Sequence, residues 1–128
     1  MSLLTLNNGI KIPKVGFGVL KVADEEAPKT VSQAFDAGYR LIDTAKIYGN
    51  EVGVGKAIAS SSLSRDELFI TTKVWNSDQG YEETLQAIDE SLDKLGLDYV
   101  DLYLVHWPTP MYDQYVETYK AIETIYKD

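Results

Sequence analysis

Four times along this chain a short, nearly unbroken apolar run precedes a segment of helical character. The runs are Val15–Leu20, Tyr39–Asp43, Leu68–Val74 and Tyr99–His106. A strand with one wet face alternates apolar and polar residues, whereas a strand covered on both faces stays apolar. Runs of this second kind, each followed by a helix, predict a parallel sheet covered by helices. The helices are expected over residues 24–37, Asn50–Ser60, Tyr81–Leu95 and Met111–Lys127. Val31, Ala34 and Phe35 lie at helical spacing in the first, and Leu85, Ile88 and Leu92 in the third. In the fourth, Tyr115, Tyr119, Ile122 and Ile125 share a stripe. Asp24 is the expected cap of the first helix, and Gly38 and Gly96 are expected to close the first and third. Ahead of these units, Leu3–Leu6 and Ile10–Pro13 flank Asn7-Asn8-Gly9, whose Asn-Gly pair suits a tight hairpin turn. No linker or low-complexity segment interrupts the series, so residues 1–128 read as one unit.

Composition narrows the function. The net charge of −8 is the wrong sign for nucleic acid and for an anionic membrane surface. The acidic residues are scattered over expected helix surfaces, which reads as a solvated exterior. The chain has no cysteine, so disulfides, thiolate nucleophiles and cysteine metal sites are excluded. No metal site is expected. No apolar run approaches the roughly 18 residues of a membrane span, and the first residues lack a basic and an apolar signal region. The expected location is the cytoplasm.

Three of the four apolar runs carry a charged or titratable side chain at or one residue before their end: Asp43, Lys73 and His106, the sole histidine. Tyr48 follows shortly after Asp43. Each has an ordinary structural use. Asp43 could cap a helix, Tyr48 could sit in a turn, Lys73 could be a surface lysine and His106 a core histidine beside Trp107.

The order and spacing of these residues resemble the aldo-keto reductase family. Gly38-Tyr39-Arg40, Leu41-Ile42-Asp43-Thr44-Ala45, Tyr48-Gly49-Asn50-Glu51 and Val54-Gly55 are similar to that family's first signature. Ile70-Thr71-Thr72-Lys73-Val74-Trp75 resembles its lysine strand, and Asp101-Leu102-Tyr103-Leu104-Val105-His106-Trp107-Pro108 its histidine strand. The resemblance implies an α/β fold: an N-terminal β-hairpin plus four βα units, half of a (β/α)8 barrel. Complete barrels of this kind need about 250 residues. The resemblance therefore implies the N-terminal half of a barrel, in a truncated, split or deliberately halved form. The fifth-strand motif and the later residues that grip the cofactor's phosphate are expected in an absent C-terminal half.

The resemblance also implies a chemistry. NADPH-dependent reduction of a small aldehyde or ketone requires a proton at the carbonyl oxygen as negative charge develops there. Tyr48 is the implied acid, Lys73 lowers its pKa, Asp43 holds Lys73, and His106 orients the substrate. Gly18, Val19, Leu20 and Asp43 are the implied cofactor contacts in this half. Leu20, Trp75 and Trp107 are the implied substrate wall. Lys46 is expected to be solvent-exposed, with substrate contact as the lesser reading. A four-stranded open sheet would leave two bare edges, so self-association or a complementary C-terminal half is expected, with weak or absent NADPH binding by the chain alone. Two other functions stay open. One is a non-catalytic assembly or regulatory module of aldo-keto type. The other is an enzyme using Lys73 as a Schiff-base nucleophile.

Overall fold

The computed structural model describes residues 2–128. Strands β1 (Leu3–Thr5) and β2 (Lys11–Pro13) pair antiparallel as the expected hairpin. Gly9 takes the positive φ of the turn, and Ile10 N donates to Asn8 Oδ1 at 3.1 Å. Four βα units follow. They are β3 (Gly16–Gly18) with α1 (Ala27–Asp36), β4 (Leu41–Asp43) with α2 (Glu51–Ser60), β5 (Phe69–Val74) with α3 (Tyr81–Leu95), and β6 (Leu102–Val105) with α4 (Tyr115–Lys127). The four strands form one parallel sheet in the order β3-β4-β5-β6. This is the expected hairpin and half of a (β/α)8 barrel.

Each helix packs on the next in sequence, α1 on α2, α2 on α3 and α3 on α4. The core lies between them and the sheet, where Ile42 and Ile70 meet Val31, Phe35, Val54, Ala57 and Leu95. Gly55 makes one close approach possible: a Cβ there would lie 2.4 Å from the Leu95 carbonyl oxygen. Because side chains alternate along a strand, Leu41, Asp43, Thr71 and Lys73 point to the opposite face. The register Lys73↔Leu104 carries Leu104 onto that same face.

Burial on both faces holds fully only for β5, all six residues of which are buried. Strands β3 and β6 are the two sheet edges, and both are partly open, with Gly16, Gly18 and Leu104 exposed. The expected boundaries shift for local reasons. The run Val15–Leu20 shortens to Gly16–Gly18 because Val22 N donates back to Val19 O at 3.0 Å and bends the chain. The last run begins late because Asp101 offers β5 its side chain, Ile70 N donating to Asp101 Oδ2 at 2.8 Å. Helix α4 begins at Tyr115, since Thr109 and Asp113 take left-handed backbone angles on either side of a one-turn 3-10 segment, Pro110–Tyr112. Asp24 does not cap α1, whose N-cap is Glu26 without a side-chain bond. Instead Gly53 N, in the first turn of α2, donates to Asp24 Oδ1 at 2.7 Å. Gly38 and Gly96 close their helices with positive φ, as expected.

Candidate active site

The C-terminal end of a parallel sheet collects the loops of successive βα units at one rim. Asp43 is the last residue of β4, Lys73 the last but one of β5, and His106 the residue after β6. Tyr48 closes a single 3-10 turn, Lys46–Tyr48, that begins three residues beyond β4. Gly49 then adopts φ +69°, which lets the chain leave that turn and enter α2.

The four side chains converge. Lys73 Nζ donates to Asp43 Oδ1 at 2.5 Å and to the Thr44 carbonyl oxygen at 3.0 Å. The same Nζ stands 5.2 Å from the centre of the Tyr48 ring. The Tyr48 and His106 rings meet edge to face, with centroids 5.7 Å apart. Burial holds the His106 pKa below its ordinary value of 6.5, the Lys73 charge pushes in the same direction, and Asp43 opposes both. The ring is therefore neutral at pH 7, a hydrogen-bonding group and not a cation.

The aromatic residues continue from His106. Trp75 lies 5.3 Å from His106 and 5.0 Å from Trp107 between ring centroids. Trp75 is half-buried, while Trp107 is exposed. Leu20 is 61% exposed, on the loop after β3. These three are therefore accessible to solvent at the rim.

The expected cofactor contacts divide. A Cβ at Gly18 would meet nothing within 4 Å, so the space above that backbone is open beside Asp43, its register partner. Val19 is different. Its side chain is fully buried in the helix-facing core, its N–H donates to Asp43 O at 3.1 Å, and its carbonyl accepts from Asn50 Nδ2 at 3.0 Å. Val19 thus offers neither its side chain nor a free polar group, whereas Gly18 borders open space and Leu20 is exposed. Two surface hollows, of about 240 Å³ between α2 and α3 and about 430 Å³ beside α1 and Ser60–Leu63, have none of these residues in their walls. Among the described residues no group of three or more His, Asp and Glu side chains could hold a metal ion.

Three supporting residues escape a reading of the sequence. Lys46 is not a solvent lysine: its Nζ pairs with Asp78 Oδ2 at 2.6 Å and Glu90 Oε2 at 3.5 Å. Burial works against that charge, but the Asp78 and Glu90 carboxylates outweigh it and raise the pKa. Asn50 is completely buried and joins two loops. Its Nδ2 donates to Val19 O and Val22 O at 3.0 and 2.9 Å, and its Oδ1 accepts from Thr44 Oγ1 at 2.7 Å. Gln79, also buried, bridges the loops after β5 and β6. The position of Asn50, right after a turn glycine, was the one available signal. Gln79 and the partners of Lys46 carry none, because their contacts lie 28 to 39 residues away along the chain for Gln79 and 32 for the Lys46–Asp78 pair.

The chain is similar in sequence and fold to known proteins. A family model described as the aldo/keto reductase family matches residues 14–128. Glyoxal reductase of Bacillus subtilis is 55% identical over 124 residues, covering 96% of this chain and 44% of that protein. Morphine 6-dehydrogenase of Pseudomonas putida is 51% identical over 126 residues, with 98% and 43% covered. An aldo/keto reductase from Brucella melitensis superposes with a TM-score of 0.95 at 56% identity, over 98% of this chain and 49% of that one. A variant of Gox0644 solved in complex with NADPH superposes with a TM-score of 0.92 at 41% identity, over 98% and 45%. The chain thus spans just under half the length of the relatives it matches, and over that span it belongs to the aldo/keto reductase family.

Proposed function

We propose that this chain carries the proton-transfer half of an NADPH-dependent reductase acting on aldehydes and ketones. The observation that carries this reading is one constellation: a lysine held by a carboxylate, facing a tyrosine ring whose edge neighbour is a neutral histidine. The cofactor, when bound, supplies a hydride to the carbonyl carbon. Tyr48 gives its phenolic proton to the carbonyl oxygen as negative charge grows there, and regains a proton from solvent. Lys73, fixed by Asp43 and by the Thr44 carbonyl, places a positive charge beside the phenolate that forms. His106 donates a hydrogen bond to the same oxygen and sets its direction. Trp75, Trp107 and Leu20 exclude water from the reacting carbonyl and hold the substrate's apolar body. Gly18, Leu20 and Asp43 face the cofactor.

The nearest rival chemistry, a Schiff base on Lys73, needs a free and neutral amine. Here the Lys73 Nζ is instead engaged by Asp43 Oδ1 and the Thr44 carbonyl oxygen, which supports the reductase reading.

The open sheet edges and the exposed Leu104 support a second part of the proposal: turnover requires further barrel structure over this face, from a C-terminal half or a second copy. The test is NADPH oxidation with a reactive aldehyde, by the chain alone and with a separately expressed C-terminal half. Turnover is expected only in the mixture, and Tyr48→Phe is expected to lower it by about a hundredfold or more. Undiminished turnover in Tyr48→Phe refutes the acid assignment. Turnover by the chain alone refutes the need for the other half.

A further inference from the structure

Two of the rim residues, His106 and Trp107, stand on weak footing. They follow β6, an edge strand with a single neighbour. The main-chain bond that anchors His106, from its N–H to Val74 O, is long at 3.3 Å. Beyond them the chain passes through left-handed angles at Thr109 and Asp113 before α4 begins. Nor does the imidazole fix itself, since the buried Nδ1 of His106 has no hydrogen-bond partner among the described residues. Its direction comes from ring packing against Tyr48 and Trp75 and from the placement of its backbone.

That backbone is gripped from the neighbouring unit. Gln79 Nε2 donates to the Trp107 carbonyl oxygen at 2.9 Å. A carbonyl only accepts, so this contact fixes which end of the amide faces it. Gln79 Oε1 then faces Thr118, whose hydroxyl donates to it at 2.6 Å, while Gly80 N donates to that hydroxyl at 2.9 Å. Both ends of one buried amide are satisfied, one on the loop after β6 and one on α4. On its own loop, Gln79 follows Asp78, the partner of Lys46 in the turn that ends at Tyr48. The segment from Trp75 to Gly80 thereby touches both neighbouring loops, and Gln79 is its hold on the His106 side.

We propose that Gln79 is a positioning residue. By holding the Trp107 carbonyl it keeps His106 and Trp107 packed on Trp75, and so sets where the oxygen and the apolar body of a carbonyl substrate lie. The second half of this statement rests on the reductase reading above; the tether itself does not.

The two tryptophans of the chain are Trp75 and Trp107, so the tether can be read optically in the chain as it is. Indoles this close couple through their strong far-ultraviolet transition and give a circular dichroism couplet, which Trp107→Phe assigns by removing it. Gln79→Glu keeps the acceptor for Thr118 and replaces the donor to Trp107 with a second acceptor. The coupled band is expected to weaken. Amide exchange at His106 is expected to quicken by about fivefold, the effect of losing one hydrogen bond of ordinary net strength. Exchange in α1, at Val31, is expected to stay unchanged, which separates a local release from general loss of structure. Gln79→Met, which removes both bonds at similar volume, should do the same or more. If Gln79→Met fails to fold, Gln79→Glu decides alone. An unchanged band together with unchanged His106 exchange in Gln79→Glu overturns the tether. In the assembled, NADPH-oxidising protein, Gln79→Glu is expected to raise KM for an aryl aldehyde several-fold more than it lowers kcat, and an unchanged KM overturns the substrate role. An optical response without any reductase activity in the parent overturns the reductase reading and leaves the tether standing.

Discussion

Removing one member of the Lys73–Asp43 pair should cost more, or less, depending on which member goes, and the structure says by how much. Lys73 has 11% of its side chain exposed and Asp43 has 37%. Stranding one partner of a fully buried pair costs about 3–5 kcal/mol. Asp43→Leu strands the lysine, which keeps only the Thr44 carbonyl at 3.0 Å. Because Asp43 itself is partly in water, its attraction is already screened, and a loss of about 2 kcal/mol is expected. Lys73→Met strands the carboxylate instead, and that group can turn to solvent, so about 1 kcal/mol is expected. In the double variant both charges are gone and the apolar replacements fill the space, and again about 1 kcal/mol is expected. Urea unfolding followed by circular dichroism reads these values. With a slope of about 2 kcal/mol per molar urea, the three midpoints should fall by about 1, 0.5 and 0.5 M. A double variant whose loss equals the sum of the two single losses refutes the reasoning, because independent groups would then have been removed. The same experiment bears on the chemistry: a lysine that needs Asp43 to be tolerated in this place is one whose position is set by the pair.

Two further outcomes follow from the site. His106 is the chain's sole histidine, and its ring lies against Trp75, so protonation should quench tryptophan fluorescence with a midpoint below 6.5, the ordinary histidine value. The unfolded chain then binds the proton first, so this residue's effect on stability is absent above pH 6.5 and becomes destabilising as pH falls from there through the folded-state midpoint; a midpoint above 6.5 contradicts the burial argument. Asn50→Ala should leave Val19 O, Val22 O and the Thr44 hydroxyl without their buried partner, costing about 3 kcal/mol and lowering Tm by on the order of 10 °C in a thermal scan. A shift of only a degree or two would mean that water replaces the amide.

The sequence made the layout legible because apolar runs and helical spacing are local signals. A short, largely apolar run such as Leu68–Val74 reads as a strand covered on both faces, and that is where β5 lies. The positions of Asp43, Lys73 and His106 at strand ends were legible for the same reason, since the end of a run is visible along the chain. What the sequence concealed depends on contacts between units. Asp24 has the residue type and place of a cap for α1, yet its carboxylate serves α2, 29 residues away. Val19 continues an apolar run, but whether its side chain faces ligand or core depends on a bend set by Val22 and Asn50. The fourth helix is expected to start at Met111, although the stripe that marks it begins at Tyr115. The helix waits until Tyr115 because Pro110 and the left-handed Asp113 build a separate turn first.

These between-unit contacts all join adjacent βα units, which is how half a barrel can hold the proposed proton-transfer constellation. Asn50, from the second unit, secures the loop of the first through Val19 and Val22. Asp43 and Thr44, also from the second, hold Lys73 of the third. Asp78 of the third holds Lys46 of the second, and Gln79 of the third holds Trp107 of the fourth. Every group proposed to touch the substrate's oxygen is therefore placed by its immediate neighbours within β3 to β6, with no contribution needed from across the sheet. The face that these groups line is another matter, because its edges at β3 and β6 have no partner strand among the described residues. Added barrel structure should accordingly change how firmly cofactor and substrate are held while leaving the Asp43–Lys73 contact and the Tyr48–His106 ring packing as they are. If those two contacts rearrange when a C-terminal half is added, placement by neighbours is insufficient and the argument from local ties fails.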